Sequence, residues 1–448
     1  MIPKTVILLA FGILTIVLAA LCLPHQTETG DVPTYTRPAQ NLVRGKGFTV
    51  ATPSGQDIPE YRRTPGYPCF LASIYLFSES PSAVLMTQRI LFLVMALGCY
   101  VFLRRVVGDP VAFVAALLLL ADVPCLLMSN AIVSEPLFAV WIVLSAFLLY
   151  EAGRRESVGF VCLSAATLGV ATLTRPIALL LFVIYAGYLA ASLPLRRKRL
   201  VLAALFVIVA NILPATWVFR NHALSGVWTL TSIQGPNMLY YRALPVEALA
   251  TGRSEQEVRK DLETRANKAI AQEAARLGRP LNQAEASRIE GRLGAEIARA
   301  YPFLSLRVGF VGMAKMMLGP GYPAYVTRFG PFAQKAIHVF QYALSGFFLL
   351  LSCAGVVWAF RQRQLRGMVA LSCALIAYFI LMSAGSMAYS RFRVPIAPFY
   401  YLLISWAIVN QWPRFGRGSG KGKITTERRF TGLSSKSYGN SELLSPKS

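Results

Sequence analysis

Ten apolar runs, near 5–23, 83–103, 109–128, 133–151, 158–173, 176–194, 200–219, 334–360, 367–386 and 394–412, dominate the chain. Each is close to the ~20 residues that carry a helix across ~30 Å of hydrocarbon at 1.5 Å per residue. Hydrocarbon offers no partner to a backbone N–H or C=O, so runs of this length read as transmembrane helices. With 55% hydrophobic and 15% charged residues, the chain is too apolar for a water-soluble protein of 448 residues. The fold class that follows is an all-α polytopic membrane protein of about ten spans.

The net charge of +24 would suggest nucleic acid in a soluble protein, but the basic residues lie between apolar runs and in the tail. Arg104 and Arg105, Arg154 and Arg155, Arg196 to Arg199, and Arg361, Arg363 and Arg366 occupy alternate connections. The positive-inside rule puts these and both termini in the cytoplasm, and the intervening connections outside. The basic segments then serve as topology signals and contacts to anionic lipid. No nucleic-acid partner is expected. The N-terminal run reads as an uncleaved first helix, because no small-residue cleavage site precedes His25. Seven scattered cysteines with no CxxC suggest free thiols rather than disulfides or zinc.

Two outward connections are long, 24–82 and 220–332. In the second, Val258, Leu262, Ala266 and Ile270, then Ile289, Leu293 and Ile297, recur every fourth residue among mixed charges, which predicts amphipathic helices forming a small cap. The tail 413–448 is rich in Ser, Gly and Lys without apolar period and is expected to be a disordered, basic cytoplasmic segment. "PGYP" occurs at 65–68 and 320–323, but its flanks differ, so no repeat is inferred.

Ionisable residues at membrane depth are costly and mark function by default. On the outward side they gather from several runs: Asp31 after the first, Arg62 and Arg63 before "TPGYP", Glu135 in "SEPLF", Arg175 in "TRP", Arg220 in "WVFRN", and Arg391 and Arg393 in "SRFRVP". Each has a plainer alternative. Arg62 and Arg220 could simply reach headgroups, Glu135 could be a first-turn acid favoured by the helix dipole, and Asp31 could be solvated. Asp57 and Glu60, in "GQDIPEY", are expected to be solvated, and Asp122, before Val123-Pro124, to end a helix. The chain has no GxGxxG, P-loop, DxD or HExxH, and its three histidines are isolated, which argues against a bound nucleotide sugar and against a histidine-based metal centre or triad. The sequence calls for no cofactor, and a divalent cation is not required by it.

Taken in order, an acid after the first span, "AQNLVRGKGF", "RRTPGYPCFLA", "SEPLF", "TLTRP", "WVFRN" and "RFRVPIAPF" resemble the bacterial branch of the GT-C glycosyltransferases. That branch is similar to the dolichyl-phosphate-mannose protein mannosyltransferases and the lipid A aminoarabinose transferases. The likeness runs over 1–412, apart from much of 245–300, and marks 1–412 as one transferase domain. It implies transfer of a sugar from a polyprenyl-phosphate donor to a lipid, glycan or protein acceptor on the outer face of the inner (plasma) membrane, usually with inversion. It makes Asp31 the catalytic acid of the first outer loop and Glu135 a second acid. Arg391 and Arg393 correspond to the donor-phosphate residues; Arg63, Arg175, Tyr35 and Tyr67 complete the expected binding set. Many relatives carry a second acid beside the first, where this chain has Val32. The chemistry suits the residue types: a carboxylate can take the proton of an acceptor hydroxyl, and arginine forks match phosphate oxygens.

Two rival readings share the apolar runs. A secondary transporter would place its charges near the midplane on interrupted helices, in two halves that echo each other; these charges lie at outer ends and the halves differ. A surface-polysaccharide ligase or polymerase would share the large outer loops.

Overall fold

In the computed structural model, which describes residues 2–28, 30–52, 55–192, 196–319, 330–385 and 389–415, each of the ten apolar runs carries a helix. Its main unit is Met1–Val409. The tail expected at 413–448 lies, from residue 416 on, outside the described residues, as does the second "PGYP". Helix α1 (Lys4–Cys22) is followed by α2 (Val32–Val43), a hairpin of β1 (Thr49–Ala51) and β2 (Asp57–Pro59), and α3 (Gly66–Tyr75). The hairpin is antiparallel, with Val50 opposite Ile58. Gly45 and Gly47, both at φ +72°, turn the chain from α2 into β1, the left-handed conformation that "VRGKGF" supplies through glycine.

The chain continues through α4 (Pro81–Val106), α5 (Asp109–Leu120), α6 (Val123–Ser129), α7 (Glu135–Arg155), α8 (Val158–Thr174), α9 (Leu181–Ser192) and α10 (Arg196–Ser225). The cap follows: α11 (Gln234–Pro236), a π-helical segment Asn237–Ala243, α12 (Leu244–Thr251), α13 (Glu255–Leu277), α14 (Gln283–Ala300) and α15 (Pro302–Leu318). The last helices are α16 (Pro331–Phe360), α17 (Arg366–Ser383) and, after a 3-10 segment Ser390–Ile396, α18 (Ala397–Phe415).

Among the described residues seven helices are long and apolar enough to cross a membrane, and two shorter apolar helices lie at 158–174 and 176–192. The chain is a multi-pass membrane protein. The run at 109–128 is not one straight span: α5 and α6 meet at a 54° bend. Asp122 makes that break. Its carboxylate accepts the Cys125 N–H at 3.0 Å, as an N-cap does, and the hydroxyl of Tyr401 at 2.5 Å. Pro124 has no N–H to continue α5. Asp122 therefore ends one helix, as its sequence suggests, and begins another while buried against α18.

The cap helices form where the four-residue spacing places them. Val258, Leu262 and Ala266 are buried in one small core with Ile297 and residues of the π-helical segment, whereas Ile270, Ile289 and Leu293 are only half-buried. Capping boxes start both α13 (Ser254 with Glu257) and α14 (Asn282 with Glu285).

Candidate active site

Asp31 stands at the N-cap of α2 but makes no side-chain cap. Pro33 occupies the first turn, removing one N–H that a cap would serve. The carboxylate turns instead to Arg63, whose Nη2 lies 2.6 Å from its Oδ1. Arg63 is further held by the Thr34 hydroxyl at 2.9 Å and the Tyr35 hydroxyl at 3.0 Å. The other Asp31 oxygen has no partner among the described residues, and the side chain is 42% exposed. Burial pushes the Asp31 carboxyl up, but the guanidinium of Arg63, with Arg391 and Arg175 farther off, outweighs burial and holds it below the usual carboxylate value.

Glu135, first residue of α7, lies at the positive end of the helix dipole and pairs with Arg175 Nη1 at 2.8 Å. Arg175 is where it is because of its neighbour. Pro176 disfavours helical geometry at the residue before it, so α8 stops at Thr174 and Arg175 is extended at φ −144°, ψ 120°. Arg391 approaches Glu135 from the 3-10 segment before α18, at 3.9 Å, and its buried Nε has no hydrogen-bond partner. Ser134 links Tyr35 to Arg175: its hydroxyl lies 3.3 Å from that of Tyr35 and accepts from Arg175 at 3.0 Å.

Backbone pairing brings the two acids together. Gln26, just past α1, forms a parallel bridge with Ala131, through Gln26 N–H to Asn130 C=O (3.1 Å) and Ile132 N–H to Gln26 C=O (2.9 Å). Asn130 is fully buried and ties the bridge to α1 (Ala19 C=O, 2.8 Å) and α4 (Arg89 Nε, 2.9 Å). Gly66 performs the same service for the arginines. A Cβ there would stand 2.7 Å from Leu173 O and from Thr174 N and Oγ1, so glycine alone lets α3 meet the end of α8 and sets Arg63 beside Arg175. That is the physical reason for the glycine in "TPGYP".

Asp31, Arg63, Tyr35, Glu135, Arg175 and Arg391 thus form one cluster, and a pocket lined by Glu135, Arg175, Arg391, Phe392 and Ser383 opens on it. Two expected members face elsewhere. Tyr67 is fully buried below Tyr35, edge-on at 5.0 Å, with its hydroxyl donated to Gln88 at 2.6 Å; it supports the cluster instead of meeting a ligand. Arg393 donates to the Met317 carbonyl of α15 at 2.7 Å. Residues two apart on a 3-10 turn point to different sides, and the two arginines meet different partners, Arg391 at Glu135 and Arg393 at Met317. Glu60 is buried, at 4% exposure, not solvated, and takes the Arg62 N–H. Asp57 is half-buried and pairs with Lys46 at 2.8 Å. Arg220 does not reach outward; it donates to the carbonyls of Glu60 (2.8 Å) and Phe48 (3.1 Å). Sequence reasoning missed Ser134, Thr34 and Asn130. Ser134 was legible beside Glu135 in "SEPLF", whereas nothing local marks Asn130.

Residues 63–217 match the sequence model of the dolichyl-phosphate-mannose-protein mannosyltransferase family. No curated protein matches the chain. Among solved structures, the Archaeoglobus fulgidus oligosaccharyltransferase tethered to an acceptor peptide containing the NVT sequon superposes with a TM-score of 0.51 at 14% identity, over 92% of this chain and 50% of that one. The same archaeal enzyme, AglB, in complex with an inhibitory peptide and a dolichol-phosphate gives 0.51 at 14% identity over 95% and 52%. ArnT from Cupriavidus metallidurans bound to undecaprenyl phosphate gives 0.40 at 14% identity over 91% and 77%. The chain spans about half the length of the oligosaccharyltransferase. Family model and fold together define the class: this is a membrane protein of the GT-C glycosyltransferase fold. Within that class its segment 63–217, which carries Arg63, Glu135 and Arg175, is mannosyltransferase-like.

Proposed function

We propose that the chain is a glycosyltransferase that moves a sugar from a polyprenyl-phosphate donor to an acceptor hydroxyl or amide at the outer face of the plasma membrane, with inversion. The transferase unit is 1–412, with 24–82 and 220–332 facing outward. One observation carries the reading: at a single end of the helices three guanidiniums, of Arg63, Arg175 and Arg391, meet two carboxylates, of Asp31 and Glu135, which leaves one positive charge in excess. A phosphate head whose isoprenoid tail stays in lipid suits that excess charge and that position.

Arg391 holds the donor phosphate first, since its Nε is buried without a hydrogen bond. Arg175 and Glu135 form a fixed pair behind it. Asp31 removes the acceptor proton, the acceptor oxygen or nitrogen bonds to the anomeric carbon, and the carbon–oxygen bond to phosphate breaks with its electron pair left on the phosphate. While Arg63 holds Asp31 the carboxylate is a weak base. An incoming phosphate competes for Arg63 and restores the basicity of Asp31, so the donor binds before the acceptor reacts.

Mass spectrometry of envelope lipid, polysaccharide and exported protein from cells with and without the gene tests the proposal. A hexose or pentose increment present only with the gene names sugar and acceptor. Identical glycan masses in both strains, with purified protein inert toward undecaprenyl-phosphate sugars, refute it.

A further inference from the structure

Hydroxyls on the apolar helices of this chain bond back to a carbonyl one turn earlier: Thr172 to Leu168 at 2.9 Å, Ser372 to Met368 at 2.8 Å and Ser405 to Tyr401 at 2.7 Å. Ser383, in the last turn of α17, does not. Its Oγ is buried and has no hydrogen-bond partner among the described residues, although Phe379 stands one turn back on the same helix. The side chain instead lines the pocket that Glu135, Arg175 and Arg391 share. The Nε of Arg391, in the same pocket, is buried and unbonded as well. Two buried donors thus meet at one cavity and lack the same thing, an acceptor.

Glu135 does not supply it. Its carboxylate is taken by Arg175 at 2.8 Å and stays 3.9 Å from the Arg391 Nε, beyond hydrogen-bond reach. A water molecule would satisfy both donors but leave the excess positive charge uncompensated. An anionic oxygen does both, and in a pocket walled by Phe138, Phe379 and Pro395 its bonds are strengthened by the exclusion of water. The same apolar wall suits the first carbons of a lipid ester and gives nothing to a free anion. The turn that carries Ser383 is also gripped from the cap. Arg242, in the π-helical segment, donates to the Met382 carbonyl at 3.0 Å, which fixes the end of α17. From α15, Gly312 lies so close that a Cβ on it would collide with the Gly385 carbonyl.

From this geometry we propose that Ser383 is a further phosphate-binding residue, its hydroxyl donating to a phosphate oxygen of the lipid donor beside Arg391, and that Arg242 is its positioning residue, acting from the cap through Met382. The inference rests on the reading of Arg391 as a donor-phosphate residue.

The test is equilibrium binding of radiolabelled undecaprenyl phosphate to the full-length protein in phosphatidylcholine nanodiscs, with thermal melts on the same samples. Ser383→Ala should weaken binding about tenfold, the loss of one hydrogen bond to a charged group, yet melt no lower than wild type without the lipid, because no protein bond is lost. A hydroxyl of purely structural use would give the reverse. Arg242→Gln should weaken binding about three- to tenfold, and Arg242→Lys, which keeps a donor for Met382, should restore it. In the Ser383→Ala background Arg242→Gln should add no further loss, since one acts through the other; a full additional loss overturns the positioning role. Inorganic phosphate at millimolar concentration should not displace the lipid; displacement would make this a free-phosphate site and overturn its assignment to the donor. Ser383→Ala binding like wild type overturns the inference. If Arg391→Lys is weakened in that case the donor reading stands, and if it too binds like wild type both fall.

Discussion

Asp31→Asn keeps the shape of the side chain and removes only its charge and basicity. In the structure this breaks the 2.6 Å pair with Arg63, whose remaining bonds to Thr34 and Tyr35 survive. Because Asp31 is 42% exposed, solvent screens the pair, and its loss costs about 0.5–1 kcal/mol of stability. The variant therefore folds. Losing general-base assistance costs ~10²–10⁴-fold in transfer, about 2.7–5.4 kcal/mol of barrier. Donor affinity should move the other way. With one carboxylate gone the excess positive charge in the cluster rises, and Arg63 is released to the phosphate, so undecaprenyl phosphate should bind about two- to tenfold tighter. Transfer from a radiolabelled lipid donor and equilibrium binding of undecaprenyl phosphate, measured on the same purified protein, separate the effects. Transfer within threefold of wild type, or donor affinity lost in step with transfer, would show that Asp31 is not the base.

Arg391→Lys should weaken undecaprenyl phosphate binding about tenfold through loss of the planar fork while melting like wild type. Arg393→Lys, whose parent bonds Met317, should instead lower the melting temperature with donor affinity unchanged; thermal melts and lipid binding on both variants distinguish them. Gly66→Ala forces α3 off α8 and should cost about 1–3 kcal/mol, read as a lower melting temperature together with reduced transfer. For Glu60, burial raises the folded carboxyl above its unfolded value of 4.5, so the folded state holds the proton more tightly and stability falls as pH rises through the folded value. Glu60→Gln should thus melt no lower than wild type at pH 7.5 and lose that advantage in melts below about pH 4.5. In a cysteine-free background, single cysteines in 24–82 should react with an impermeant maleimide in intact cells, and cysteines at 197–199 should not; reaction at 197–199 refutes the proposed orientation.

The placement of the apolar helices is written in the sequence, because a bilayer imposes one local criterion, about 20 apolar residues; their number as spans is not, since among the described residues seven helices meet that criterion alone, 109–128 is bent, and 158–174 and 176–192 are shorter. The amphipathic cap helices are legible for the same reason, since a four-residue period needs no knowledge of what covers it. The end of the bundle that carries the charges is legible too, because each acid or arginine stands at the end of its own run. Which of them meet is a different matter. Arg391 and Arg393 are equivalent in "SRFRVP", yet a 3-10 turn sends one to Glu135 and the other to Met317. Glu60 in a polar stretch looks solvated, yet the loop carrying it is folded under Arg220 and Thr231. The break at Asp122 depends on a hydroxyl from Tyr401, far along the chain. The pairing of Gln26 with Ala131, which sets Asp31 beside Glu135, leaves no local mark, because backbone hydrogen bonds between distant segments carry no side-chain signature. Sequence determined which charged residues stand at the ends of apolar runs and which helices bear them; tertiary structure alone decided their partners, since a side chain's direction and its charge neighbours are set by contacts between segments that the chain brings together only on folding.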